Sequence, residues 1–331
     1  MSEAVVKTEE RRRRRFEIGA IAPFLALLLL GVFGAIVNPR FLSVDNLSNV
    51  LTRSAFIATI AVGQTLVITG GGLDLSVGAM AAFVAGLMIL FLNSGIIENY
   101  TLLIMAAMAL SLVVGALCGL FNGLTTTLGK IEPFIVTLGS MGIFRSLVTW
   151  LAQGGSITIK NSELRAAYRP IYFGDVFGIP YPVIIIIAVG AIGAFLLYAT
   201  AYGRRVRAVG SNEDVARYSG INVVRVRTLT YVFQGLCVAI AVIVYVPRLG
   251  STTSTTGLGW ELMAITAVVI GGTRLKGGVG RVWGTVAGAL ILEVIGNIML
   301  LSSLVSEYLI GAVQGAIIIV AMLAQRSLTR R

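Results

Sequence analysis

The sequence predicts an all-α, polytopic membrane protein. About ten helices cross the membrane, some of them broken by glycine, and a short capped helix lies on one membrane surface. Three observations carry this reading. Of the 331 residues, 56% are apolar and only 12% charged, about half the charge of an ordinary soluble domain. The apolar residues come in runs long enough to cross a bilayer. The basic residues are sorted between the loops: with the N-terminus placed inside, 19 of the 26 Lys and Arg fall on the inner side and 6 on the outer, leaving Arg145 within a span. That asymmetry predicts an even number of spans with both termini on the inner side.

The chain opens on a basic tail, residues 1–15, with Lys7 and Arg11 to Arg15. The apolar run Phe16–Val37 is too long and uninterrupted for a cleaved leader and reads as the first span. Within Asn38 to Arg53, the residues Phe41, Leu42, Leu47, Val50 and Leu51 are spaced for a short helix lying on the outer surface. Further spans are expected over Ser54–Thr69, Leu75–Asn93, Tyr100–Leu120, Phe134–Leu151, Tyr181–Ala201, Thr228–Val246, Leu258–Ile270, Val282–Leu300 and Leu304–Ala324. The second and eighth fall short of the roughly 20 residues of a straight span. Both run into glycine-rich breaks, and such breaks are tolerated at membrane depth only where protein or a water-filled cavity surrounds them. Gly154 to Pro180 reads as an ordered outer loop. Residues 16–324 thus form one membrane domain, followed by a short tail, 325–331.

The two breaks resemble each other. Val67–Leu90 aligns without gaps to Val269–Leu292, with 11 of 24 positions identical, among them Gly70 with Gly272 and Gly78 with Gly280. Shared Gly, Ala and Val content accounts for part of this, and the matching breaks favour duplication. Gly72 and Gly278 are expected to hold backbone angles that other residues adopt poorly. Asp74 and Ser76 follow the first break. Asp74 has two readings: a surface residue capping the next span through the amides of Ser76 or Val77, or a deeper acid, costly and functional. Glu293 is the best candidate for an acid within a span. Gln64 and Asn297 are span residues able to meet the hydroxyls of a polar solute, or to bond one helix to another. These residues, with Gly70, Gly78 and Gly272, are the candidate path and break positions.

The longest charged interruption is residues 202–227, AYGRRVRAVGSNEDVARYSGINVVRVR once Ala201 is included, with six arginines. It contains a helix of about two turns, Asn212 to Ser219. Ser211 or Asn212 is placed to cap it, Glu213 and Asp214 complement its dipole, and Gly220 supplies a left-handed stop. Val215 and Tyr218, three apart, give it one apolar face. The plain reading is an orienting basic loop; the capping pattern adds that of a docking element for a soluble partner.

Several function classes are excluded. There is no His, which removes His-ligated metal sites and Ser-His-Asp triads. No GxxxxGK[ST] phosphate loop occurs, and no pair of carboxylates stands at acid/base spacing. Cys118 and Cys237 lie in apolar runs, away from any disulfide framework. The net charge of +11 follows the inner loops and is not a nucleic-acid footprint.

Gly210, Asn212, Glu213, Ala216, Ser219, Gly220 and Ile221 resemble the cytoplasmic signature of permease subunits of bacterial ABC importers of the ribose/xylose/galactose class. Gly63 to Gly78 (GQTLVITGGGLDLSVG) resembles the early signature of that family, and Ala267 to Thr285 its late one. The resemblance runs through nearly the whole chain in the same order. Asp214, Val215, Ala216 and Gly220 also echo the Glu-Ala-Ala-x-x-x-Gly pattern of importer coupling loops, departing from it at the first two positions. The resemblance implies a bacterial inner-membrane permease for a monosaccharide or related small polar solute. It also implies a second permease copy or paralogue, ATPase subunits that bind ATP and Mg, and a periplasmic sugar-binding protein. The chain itself would need no cofactor and would not be an enzyme, and Asn212 to Ser219 would be its coupling helix. The other reading is a secondary transporter driven by H+ or Na+, which the lack of His and the scarcity of intramembrane acids disfavour.

Overall fold

The computed structural model describes residues 21–302 and scattered positions between 309 and 319. The tails 1–15 and 325–331, the start of the first span and most of the span expected over Leu304–Ala324 lie outside the described residues. From the amino end, α1 (Ile21–Val37) leads into a 3-10 turn (Pro39–Leu42) and α2 (Val44–Thr69). Past the first glycine break come α3 (Val77–Leu92), α4 (Tyr100–Leu128) and α5 (Pro133–Leu151). Small elements follow: β1 (Ser156–Thr158), α6 (Ser162–Tyr168), α7 (Pro170–Phe173), and the hairpin strands β2 (Asp175–Val176) and β3 (Ile179–Pro180). Next are α8 (Tyr181–Ala194), continued by a π-helical stretch (Phe195–Ala199), then the surface pair α9 (Ala201–Ser211) and α10 (Glu213–Tyr218). The chain returns through α11 (Val223–Leu249), β4 (Ser251–Thr253) and α12 (Trp260–Ile270), and after the second break α13 (Val282–Ser302). Among the described residues, six helices are long and apolar enough to cross a membrane, and α1, α3 and α12 are shorter apolar helices.

The second span is not short. The separate surface helix expected within residues 38–53 is absent, because α2 starts at Val44, where the Ser43 hydroxyl accepts from the Asn46 amide at 3.3 Å and Asp45 sits in the first turn. Nothing from there to Thr69 interrupts the helix, and Arg53 is accommodated beside Glu293 (3.9 Å). The eighth span, α12, is short as expected.

α2 and α11 form the centre. α2 packs against α8, α11, α12 and α13, while α11 packs against α3 and α4. The α4–α11 seam is set by glycines four residues apart. A Cβ on Gly119 would overlap the Tyr231 carbonyl, one on Gly115 the Gly235 carbonyl, and one on Gly123 would sit 2.8 Å from the Thr228 Cα. In a bundle whose outside is as apolar as its inside, such close backbone contact is what drives helix association.

At one end of the bundle β1 pairs antiparallel with β4, Ser156 opposite Thr253. Pro247, in the last turn of α11, has no amide to give the Ile243 carbonyl. The buried Tyr168 hydroxyl donates to that carbonyl instead, at 2.8 Å, and so fixes α6 to α11. Arg145, left inside a span by the charge count, lies in the half of α5 toward this end, and its Nη1 donates to the carbonyls of Ser254 and Thr256 (2.5 and 2.7 Å).

Candidate functional site

At the opposite end, α9, α10 and both glycine breaks come together. Asn212, not Ser211, caps α10: its Oδ1 accepts from the Val215 amide at 3.0 Å. Ser219 follows the last turn and Gly220 takes φ +77°, its amide bonding to the Arg217 carbonyl while that of Ile221 reaches Ala216. The expected left-handed stop is therefore present. Ala216 is buried, whereas Val215 and Tyr218 are 59% and 92% exposed. Asp214 sits in the first turn. Glu213 bridges two arginines, Arg217 at 2.7 Å and Arg227 at 2.8 Å. Arg227, in the first turns of α11, also donates from Nε to the Gly70 carbonyl at 3.4 Å. A chain of contacts thus links α10 to the end of α2. Tyr202 of α9 donates to the Val226 carbonyl at 3.3 Å, and burial pushes its hydroxyl well up, so it remains a neutral donor.

The breaks meet at Gly210. A Cβ there would overlap the Thr69 carbonyl oxygen and lie 2.7 Å from the Gly278 nitrogen. The Gly278 amide donates to that same Thr69 carbonyl at 2.9 Å. Gly278 has φ +77°, as the sequence led us to expect. At the first break the left-handed residue is Gly71 (φ +79°), not Gly72. Gly72 is instead needed for space, since a Cβ would stand 2.8 Å from the Tyr231 hydroxyl oxygen. Gly70 is the C-cap of α2 with φ −78°, open to other residues. Gly272 takes φ +84° after α12. The left-handed pair is therefore Gly71 and Gly272, one residue out of register with the gapless alignment. The following helices start at Val77 and Val282, so the second break also carries a longer loop. Gly78 serves packing: a Cβ would overlap the Gly257 carbonyl.

Asp74 makes the expected contact with the Ser76 amide, but not at a surface: its Oδ1 accepts from that amide (2.8 Å) and from the Ser76 hydroxyl (2.7 Å) just ahead of α3, and it is fully buried. Asn122 of α4 completes the group, reaching the Ser76 hydroxyl at 2.9 Å and Asp74 Oδ2 at 3.4 Å. The buried amides of Gln64 and Gln234 meet no hydrogen-bond partner among the described residues.

Glu293 and Asn297 lie in a different place, a pocket at the β1–β4 end with Arg53, Phe56, Tyr245, Arg248 and Trp260. Asn297 is committed to structure there, exchanging amide bonds with Asn46 at 2.8 and 3.0 Å. Sequence reasoning missed the aromatic members. They come from three helices, with Phe56 far from Tyr245 and Trp260 in the chain, and no linear pattern marks them.

Glycine-broken central helices, with a surface pair of helices, α9 and α10, that together touch both breaks, define a polytopic transport permease. The chain belongs to the family described as branched-chain amino acid transport system / permease component, which matches residues 46–322. It is 36% identical to the ribose import permease protein of Haemophilus influenzae, over 92% of each chain. With the ribose import permease protein of Bacillus subtilis the identity is 38%, over 97% of this chain and 99% of that one. The D-allose transport system permease protein of Escherichia coli is 30% identical, over 93% of this chain and 91% of its own length. An inward-facing metal-chelate type ABC transporter shares the fold alone, with a TM-score of 0.54 at 14% identity, covering 93% of this chain and 99% of that one. The family resemblance read from the sequence is borne out. These relatives are transport permeases, not enzymes, and the ion-coupled reading is not favoured.

Proposed function

We propose that this chain is the membrane subunit of an ATP-binding-cassette importer that moves a monosaccharide or related small polar solute. The carrying observation is α10: a helix capped at both ends, fixed to α2 through Glu213 and Arg227, that leaves Val215 and Tyr218 exposed. The sequence has no nucleotide loop, so energy must come from a partner. Two capped turns with an apolar face suit insertion into a groove of an ATPase subunit. Gly210 to Ile221 form this coupling surface. A cleft of about 640 Å³ beside it, lined by Lys130, Glu132, Glu213 and Arg217 among others, gives the partner charged groups to engage.

In this reading the N-terminus, α10 and the breaks face the cytoplasm of a bacterial cell, and the β1–β4 end faces a periplasmic sugar-binding protein. Residues 16–324 form one permease domain that works with a second copy or a paralogue, and the partner ATPase holds ATP and Mg. Gln64, Gly70, Gly72, Asp74, Ser76, Gly78, Gly272 and Gly278 belong to the inner half of the path, Glu293 and Asn297 to the outer. The test is ATP hydrolysis by the reconstituted complex with and without loaded binding protein. Replacing Val215 and Tyr218 together by Asp should leave membrane insertion intact and abolish stimulation. Unchanged stimulation would mean that the loop only orients the chain.

A further inference from the structure

The pocket at the β1–β4 end has a volume of about 540 Å³, within the range of small-ligand sites. Three aromatic rings wall it. Trp260 and Tyr245 stand edge to face with centroids 5.0 Å apart, and Phe56 meets Tyr245 edge to face at 5.4 Å while lying parallel to Trp260 at 6.5 Å. The rings thus offer two perpendicular apolar walls. Beside them stand an acid and two bases. Glu293 faces Arg53 at 3.9 Å, and Arg248 lies over the Phe56 ring at 5.7 Å. Neither charge of the Arg53–Glu293 pair is terminal: Glu293 is about 14 Å along α13 from Ser302, and Arg53 a similar distance along α2 from Val44, at 1.5 Å per residue. Charged groups at such positions within membrane helices are costly, and mark solute pathways more often than structure.

The donor set narrows what fits. Arginine only donates hydrogen bonds and an ionised glutamate only accepts them. A hydroxyl does both, so a ring carrying several hydroxyls can bridge the acid and the bases at once. Its C–H face would lie against the aromatic walls. The indole N–H of Trp260 and the hydroxyl of Tyr245 make no hydrogen bond among the described residues, and both remain available to such a ring. A cation would face two arginines against one glutamate; a carboxylate could meet Arg248 but would stand against Glu293 as well.

We infer that this pocket binds the transported solute as an uncharged, polyhydroxylated ring before the solute enters the bundle. The inference rests on the importer reading above and adds a binding site within the permease itself, separate from any binding protein.

The experiment uses the reconstituted permease–ATPase complex without binding protein or nucleotide. The chain has three tryptophans, so Trp150→Phe with Trp283→Phe leaves Trp260 as its sole reporter; if that pair impairs folding, wild type is compared with Trp260→Phe instead. D-ribose, D-xylose, D-galactose and D-allose are titrated to 50 mM, with glucuronate as the anionic probe. Permease emission should change saturably with at least one neutral sugar, and Glu293→Gln should weaken that response about tenfold or more. Silence to all four sugars, in a complex that still takes up sugar when its binding protein is added, would overturn the site and leave the importer reading standing. A saturable response to glucuronate alone would overturn the neutral-ring assignment. Absence of ATP-driven uptake of any sugar by the wild-type complex would instead defeat the importer reading, and the titration is read independently of it.

Discussion

Gly210→Ala tests whether the two breaks and the coupling segment form one rigid joint. The backbone of Gly210 is helical, so alanine is acceptable there on conformational grounds alone. The obstacle is space. The added methyl would overlap the Thr69 carbonyl and stand 2.7 Å from the Gly278 nitrogen. Both neighbours are backbone and cannot swing aside as a side chain could. Overpacking of this kind costs about 1–3 kcal/mol. If the two neighbours part to admit the methyl, the Gly278–Thr69 hydrogen bond (2.9 Å) is strained or lost, adding about 1 kcal/mol. The expected destabilisation is therefore about 2–4 kcal/mol. Gly220→Ala is the matched control. At φ +77° with open space around it, it should cost only about 1–2 kcal/mol of left-handed strain. The chain supplies its own probe, because its two cysteines, Cys118 and Cys237, are both buried. A thiol-reactive fluorophore then reports unfolding as the temperature rises. Gly210→Ala should unfold at a lower temperature than Gly220→Ala, and both below wild type. In the reconstituted complex, Gly210→Ala should also lose stimulation of ATP hydrolysis by loaded binding protein. A Gly210→Ala variant as stable as wild type, or more stable than Gly220→Ala, would refute the joint.

Three further outcomes follow from the same geometry. Tyr168→Phe removes the donor to the Ile243 carbonyl beside Pro247 and should cost about 1–3 kcal/mol, read by the same thiol assay; an unchanged unfolding temperature would show that the carbonyl finds another partner. Gln234→Met keeps the side-chain volume while removing a buried amide without a partner among the described residues, and should be neutral or stabilise by about 1 kcal/mol, whereas a loss of several would show that the amide holds a hydrogen bond within the folded chain. Cysteines placed at the exposed Ser162 and Ser211 should be labelled from opposite sides of the membrane in cells, Ser211 only after permeabilisation; equal labelling from outside would refute the proposed orientation.

Local chemistry was legible in the sequence. The cap at Asn212, the stop at Gly220 and the short span before Gly271 depend on residues a few positions apart. Charge sorting and hydrophobic runs are likewise properties of the linear chain, so the membrane class and the family could be read before any contact was known. Where α2 begins was misjudged, because composition places Arg53 outside a helix and only its partner Glu293, 240 residues on, makes it acceptable within one. The roles of individual glycines were not legible either. Gly72 and Gly210 resemble Gly71 and Gly278 in sequence, yet the first two are required by neighbours pressed against them and the last two by a left-handed backbone. The aromatic pocket was invisible for the same reason: Phe56, Tyr245 and Trp260 are ordinary span residues until α2, α11 and α12 pack together. Linear sequence determines which segments enter the membrane and how each helix starts and stops, because those free energies are local. Which polar groups meet, and which glycines have no room for a methyl, is decided only when distant backbones approach within van der Waals contact.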